Sequence, residues 1–325
     1  MLVKNYFFIG ISLLQFFSTS LLAENLTIYM TPLVKQHNGI LISEQCSNVG
    51  CSRLAYNRSF LMNGMELQLN EKQSPWVFFF NYSATGGYIK QNILTDTDVD
   101  NRNGQLKKEG PRIDLYKLHF RDTPYGYSGG YLWAMVMGEL KTKEYSTAFA
   151  VERSIFNHWS LHSEVDYSFS AHKREKIITS IEGRMSERES FWKSAYLPLT
   201  GEYTVNRFTL RIGMNAEYQL SELLSLKFQF SPLIGIFTAK DARPESQEFY
   251  RSYTFGGGLW FSADMILHAS SRFDFILGFF QYRLYTKGNG EFYGSTTYYL
   301  RLLTPGWSVN LKEGGLRFGF KARLR

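Results

Sequence analysis

The chain has 325 residues, of which 17% are aromatic, and a formal net charge of +7. With 27 Phe and 21 Tyr it is too aromatic for a water-facing loop protein. After residue 23 no apolar run is long enough to cross a membrane as a helix, which excludes a helical membrane protein. The positive balance suits contact with anionic lipid or lipopolysaccharide, and equally suits Arg and Lys lining a polar interior.

Residues 1–23 carry one early Lys, an apolar run and then Ala23, the pattern of a secretory signal peptide cut after Ala23. An uncleaved anchor is the alternative, but the apolar stretch is short for a span of ~20 residues. A single domain is expected over 24–325. Cys46 and Cys51 lie close together in QCSNVGC. An exported chain meets an oxidising compartment, so a small disulfide loop is expected, with two free thiols as the alternative. No His or second Cys pair stands near them, so no metal is expected there.

Candidate strands follow in order: MELQL, PWVFFFNYSATGGYI, IDLYKLHF, GGYLWAMVMGEL, YSTAFAVE and HWSLHSEVDYSF. In the last of these Trp159, Leu161, Val165, Tyr167 and Phe169 alternate with His162, Glu164, Asp166 and Ser168. In RFTLRIGMNAEYQL one face reads Phe208, Leu210, Ile212, Met214, Ala216, Tyr218 and Leu220, and the other is charged, polar or small. The short turn SE leads into LLSLKFQFSPLIGIF. YTFGGGLWFSADMIL, RFDFILGFFQYRLYTK and LRFGFKARLR complete the set. Oily faces this long, opposite charged ones, predict an all-β fold: a transmembrane antiparallel β-barrel with a wet interior. Even strand numbers leave ten or twelve strands, and the pairing around 171–206 stays open. Long polar stretches, 92–112, 171–190, 238–248 and 287–297, read as extracellular loops. NEKQS, SE and HASS read as tight turns at the other end.

NILTDTDVDN, residues 92–101, sets Asp96, Asp98 and Asp100 on alternate positions. If extended, their carboxylates share a side, and like charges so close raise at least one pKa. A solvated loop and a site that polarises a water are both compatible with this. A calcium loop is disfavoured, because the Gly falls late and no Glu follows at the required distance.

Several segments resemble the omptins, ten-stranded outer-membrane proteases. SRLAY (52–56) is similar to an early omptin segment. TGGYIKQNILTDTDVDN resembles the stretch in which glycines precede the omptin Asp pair. FTAKDARPESQEFYRS resembles the loop carrying the Asp–His pair. YRLYTKGN, followed later by GGLRFGFKARL, is similar to the omptin ending. The resemblance implies ten strands and puts Asp96 and Asp98 on the first catalytic pair, Asp100 on the trailing acid, and Asp241 on the Asp of the second pair. Arg243 stands where His belongs. Arg keeps its proton at any ordinary pH and cannot act as a base. Ala239 and Val99 also depart from the pattern.

The expectation is therefore an omptin-like barrel with an incomplete catalytic site in the outer membrane, working by surface adhesion or ligand binding. Asp100 and Arg243 are candidate ligand contacts. An active endopeptidase and a small porin-like channel are the alternatives. Expected partners are outer-membrane lipid or lipopolysaccharide and host or environmental peptides or proteins. No cofactor and no nucleic acid is expected.

Overall fold

Alternation at period two runs through strands much longer than the oily stretches alone mark. The structure is a computed structural model. It describes residues 26–47, 50–100, 133–174, 177–184, 190–197, 201–243, 248–293 and 301–324. The signal-peptide segment and the candidate strand IDLYKLHF lie outside these residues. The described elements are strands: β1 (Leu26–Ser47), β2 (Gly50–Glu71), β3 (Trp76–Ala84), β4 (Ile89–Asp100), β5 (Trp133–Phe156), β6 (Trp159–Arg174), β7 (Ile177–Arg184), β8 (Ser190–Leu197), β9 (Gly201–Ser221), β10 (Leu224–Arg243), β11 (Glu248–Ser270), β12 (Phe273–Tyr293) and β13 (Arg301–Arg323).

Each strand pairs antiparallel with its neighbour, and β1 closes on β13 from Tyr29↔Arg323 to Gln45↔Trp307. β3 and β4 both run along β5 and form one wall position, interrupted at 85–88. β7 and β8 form a hairpin that, among the described residues, pairs with the wall at the top of β5. The result is a closed ten-stranded barrel. Closure leaves no free edge for lipid to solvate, which is why a sheet can span a bilayer. Two-residue connections at 157–158, 222–223 and 271–272 gather at one end, the periplasmic end by the usual asymmetry of such barrels.

The outward face carries an apolar belt. Phe208, Ile212, Met214 and Leu220 of β9, Phe228, Phe230, Ile234 and Ile236 of β10, and Phe275, Leu277 and Phe279 of β12 are all exposed, as are Leu316 and Phe318 of β13. Exposed apolar side chains in so continuous a band are matched by lipid, not water. Pro32 and Pro232 sit on this outer face. The ladder skips them, from Met30 to Leu33 against β13 and from Phe230 to Leu233 against β9, because proline has no N–H to donate.

Three sequence expectations change. The described part of GGYLWAMVMGEL, from Trp133 on, and YSTAFAVE are one strand, β5. The linking KTKE alternates correctly, with Thr142 and Glu144 buried in the lumen. Above the belt a strand needs no oily face, so polar alternation replaces it. For the same reason residues 92–100, 238–243 and 287–293 belong to β4, β10 and β12 rather than to loops, and 177–184 forms β7. β1, outside the candidate strands, is added by the structure, although Ile28, Met30, Pro32 and Val34 alternate as an apolar face in the sequence.

Candidate functional site

Asp96, Asp98 and Asp100 occupy alternate positions near the upper end of β4, in register with Leu54, Ser52 and Gly50 of β2. Their side chains, and that of Val99, lie outside the described residues. Asp241, near the upper end of β10, is buried and stands in register with Tyr203 of β9 and Tyr250 of β11. Arg243 ends β10 opposite Glu248, with its side chain outside the described residues. Between β4 and β10 lie β5, β6 and β9 one way round and β11, β12, β13, β1 and β2 the other. The two segments therefore sit on opposite walls at one end of the barrel. Cys46 and Cys51 pair in register across the β1–β2 tip at that same end.

Just beneath, Tyr56 of β2 reaches across the lumen. It stacks on Tyr203 at 4.7 Å between ring centroids and on His172 of β6 at 4.8 Å. His172 is wholly buried, and its Nδ1 lies 3.0 Å from the Thr142 hydroxyl. Burial first, and then the Arg58 charge, hold its pKa well below the ordinary 6.5, so the ring is neutral. An apolar layer continues the seal: Leu41, Leu140, Phe237, Leu284, Val309 and Leu311 are each at most 1% exposed. Gly235 makes room for it, since a Cβ there would come within 2.6 Å of Leu284.

Under this layer a buried ionic strut crosses the lumen. Arg58 of β2 donates from Nη2 to Glu144 of β5 at 2.5 Å and from Nε to Glu313 of β13 at 2.9 Å. Glu313 also pairs with His37 and accepts from the Tyr282 hydroxyl at 2.9 Å. Arg207 donates to Tyr282 in turn. Below the strut the lumen opens into a cavity of about 480 Å³. Its walls carry matched ion pairs: Arg211 with Glu164, Arg207 with Asp166, Lys227 with Glu152 and Arg317 with Asp264. A Cβ at Gly278 would fall 2.0 Å from Asp264 Oδ1, so glycine there clears the seat for the Asp264–Arg317 pair.

On the outer face above the belt, the Tyr88 hydroxyl donates to Glu202 at 2.9 Å. Partial burial, reinforced by that carboxylate, pushes the Tyr88 pKa up to about 12. Lys240 stands directly opposite Arg251, and Arg283 opposite Lys312. Lys240 and Arg251 both lie over the Phe249 ring, at 4.9 and 5.5 Å. Among the described residues no group of three or more His, Cys, Asp or Glu is placed to hold a metal ion.

Sequence reasoning did not single out Arg58, His172, Tyr203 or Glu313. Their one sequence signal is parity, since each occupies a lumen-facing position on its strand.

No family model matches the chain, and no curated protein matches it. Solved structures do. The outer membrane protease OmpT of Escherichia coli aligns with a TM-score of 0.65 at 12% identity, covering 92% of this chain and 97% of that one. The translocator domain of the autotransporter NalP from Neisseria meningitidis aligns at 0.37 and 10% identity, covering 99% and 97%. The P. putida toluene transporter TodX aligns at 0.34 and 7%, covering 92% and 90%. The likeness to OmpT is one of fold. Together with the closed barrel and its lipid-facing belt, it makes this chain an outer-membrane β-barrel protein.

Proposed function

We propose that the protein binds ligands at the cell surface through the barrel mouth, without cleaving or transporting them. The observation that carries this is the seal beneath the mouth. The stacked Tyr56, His172 and Tyr203 and the apolar layer below them are each at most 1% exposed, so among the described residues they close the lumen to a continuous water path. The mouth positions contribute Asp96, Asp98, Asp100 and Asp241, which favour a basic peptide segment of a host or environmental protein. Arg243, where the His would stand, offsets that charge and cannot itself take up a proton. Outside, Lys240, Arg251, Arg283 and Lys312 suit the phosphates of outer-membrane lipid or lipopolysaccharide.

An endopeptidase is the second reading, favoured by the placement of the β4 and β10 segments on opposite walls. Refolded protein incubated with a labelled dibasic peptide separates the two. Anisotropy should report binding that Asp96→Asn and Asp98→Asn weaken, with the peptide intact by mass spectrometry. Cleavage abolished by Asp96→Asn would establish the protease instead, and stepwise conductance in a planar bilayer would establish a channel.

A further inference from the structure

The cavity beneath the strut plays no part in the mouth. Its lining runs down to Asn70, Ser154, Glu217, His268 and Asp274 near the short-turn end, so it faces the periplasm. Several of its charges are matched in ion pairs, Arg211 with Glu164 on adjacent strands, and Lys227 with Glu152 and Arg317 with Asp264 across intervening strands. A set of neutral polar groups is not matched. On four adjacent strands, His162 Nδ1, Asn215 Oδ1, Gln229 Nε2 and Trp260 Nε1 line the cavity and are buried with no hydrogen-bond partner among the described residues. His162 and Asn215 are more than nine-tenths buried. Register makes the set one patch: Gln229 stands opposite Asn215 on one side and, on the other, opposite Ser262, two residues from Trp260.

These groups mix donors with acceptors at adjacent positions. An amide N–H₂ and an indole N–H donate, and an amide oxygen and an imidazole nitrogen accept. Leaving such groups unpaired costs about 1–3 kcal/mol each, so they mark a place where a partner is accommodated. A ligand that meets both kinds at neighbouring points carries hydroxyls, each of which donates and accepts. Phe79, Trp260, Phe280 and Tyr282 add apolar surface to the lining. We propose that this cavity is a periplasm-facing site for a small neutral polyhydroxy molecule of mono- or disaccharide size, which pockets of roughly 300–1,000 Å³ accommodate.

The test uses the full chain, refolded in a detergent without a sugar headgroup. Saturation-transfer NMR and calorimetry are run with glucose and trehalose, and with inorganic phosphate and glycine betaine as charged controls. Both sugars should bind, and the charged solutes should not. Asn215→Leu and Gln229→Leu should each weaken sugar binding roughly tenfold or more, as expected when about 1.4 kcal/mol of pairing is lost. Ala148→Trp, which fills the cavity from β5 without removing a polar group, should abolish it. Heat-modifiable gel migration confirms that each variant folds, and Ala148→Trp decides the matter if either leucine variant does not. No saccharide binding, preferential binding of a charged solute, or sugar binding unchanged in Ala148→Trp would each overturn the proposal. Sugar binding does not depend on Asp96 or Asp98, so the result is independent of the peptide experiment at the mouth.

Discussion

Glu313→Ala should be among the most damaging single substitutions in the barrel. The Glu313 side chain is 0% exposed and Arg58 is 2% exposed. The carboxylate holds Arg58 Nε and the Tyr282 hydroxyl, each at 2.9 Å, and also His37. Removing it leaves a buried guanidinium with Glu144 as its remaining carboxylate and strands two further donors. Hydrogen bonds to charged groups contribute about 1.5–3 kcal/mol each, and breaking a buried pair from one side costs about 3–5 kcal/mol in total. We expect a loss in that range. Glu313→Gln keeps the shape and an acceptor oxygen and should lose less, about 1.5–3 kcal/mol. Replacing the whole strut, Arg58→Met with Glu144→Leu and Glu313→Leu, should recover most of the loss, since no charge is left unpaired. The assay is urea unfolding in micelles followed by tryptophan fluorescence, with heat-modifiable migration as the check on folding. A loss under about 1 kcal/mol for Glu313→Ala would refute the strut as a buried ion pair. So would an equal loss in an Arg58→Met background, because a coupled pair cannot be additive.

Three further outcomes follow from the mouth. Arg243→His supplies a titratable base, and general-base help contributes roughly 10²–10⁴-fold; peptide cleavage should appear, be lost again with Asp96→Asn, and fall short of that range because Ala239 and Val99 also depart from the omptin pattern. His172 is neutral in the fold with its pKa held below 6.5, so the unfolded state binds its proton first. Stability should therefore decline as pH drops below 6.5 until the folded-state pKa is passed, and His172→Gln should remove that part of the slope; identical slopes in both proteins would contradict the assignment. Cys46 and Cys51 stand opposite one another in register, and thiol labelling of the unreduced, denatured protein should modify neither, whereas full labelling of both would count against a bridge.

Much of the wall was legible in the sequence, because lipid demands a continuous oily face and a strand can supply one only at every second residue. Phe208 to Leu220 and Leu316 to Leu324 could be assigned to the bilayer side without coordinates, and the exposed Phe208, Met214 and Phe318 lie there. Above the belt that demand lapses. The polar alternation of 141–144, 92–100 and 238–243 looks like loop in the sequence and is strand in the barrel. The lumen was decided by closure alone. Arg58, Glu144 and Glu313 are separated by scores of residues, and nothing local relates them; they meet because β2, β5 and β13 are brought round one narrow interior. The same holds for Tyr56, His172 and Tyr203, whose stacking turns a wall with a nominally wet interior into a sealed one. Period two determines which side of the wall a residue occupies. Which residues it faces across the lumen depends on strand number and register, and those are properties of the closed sheet.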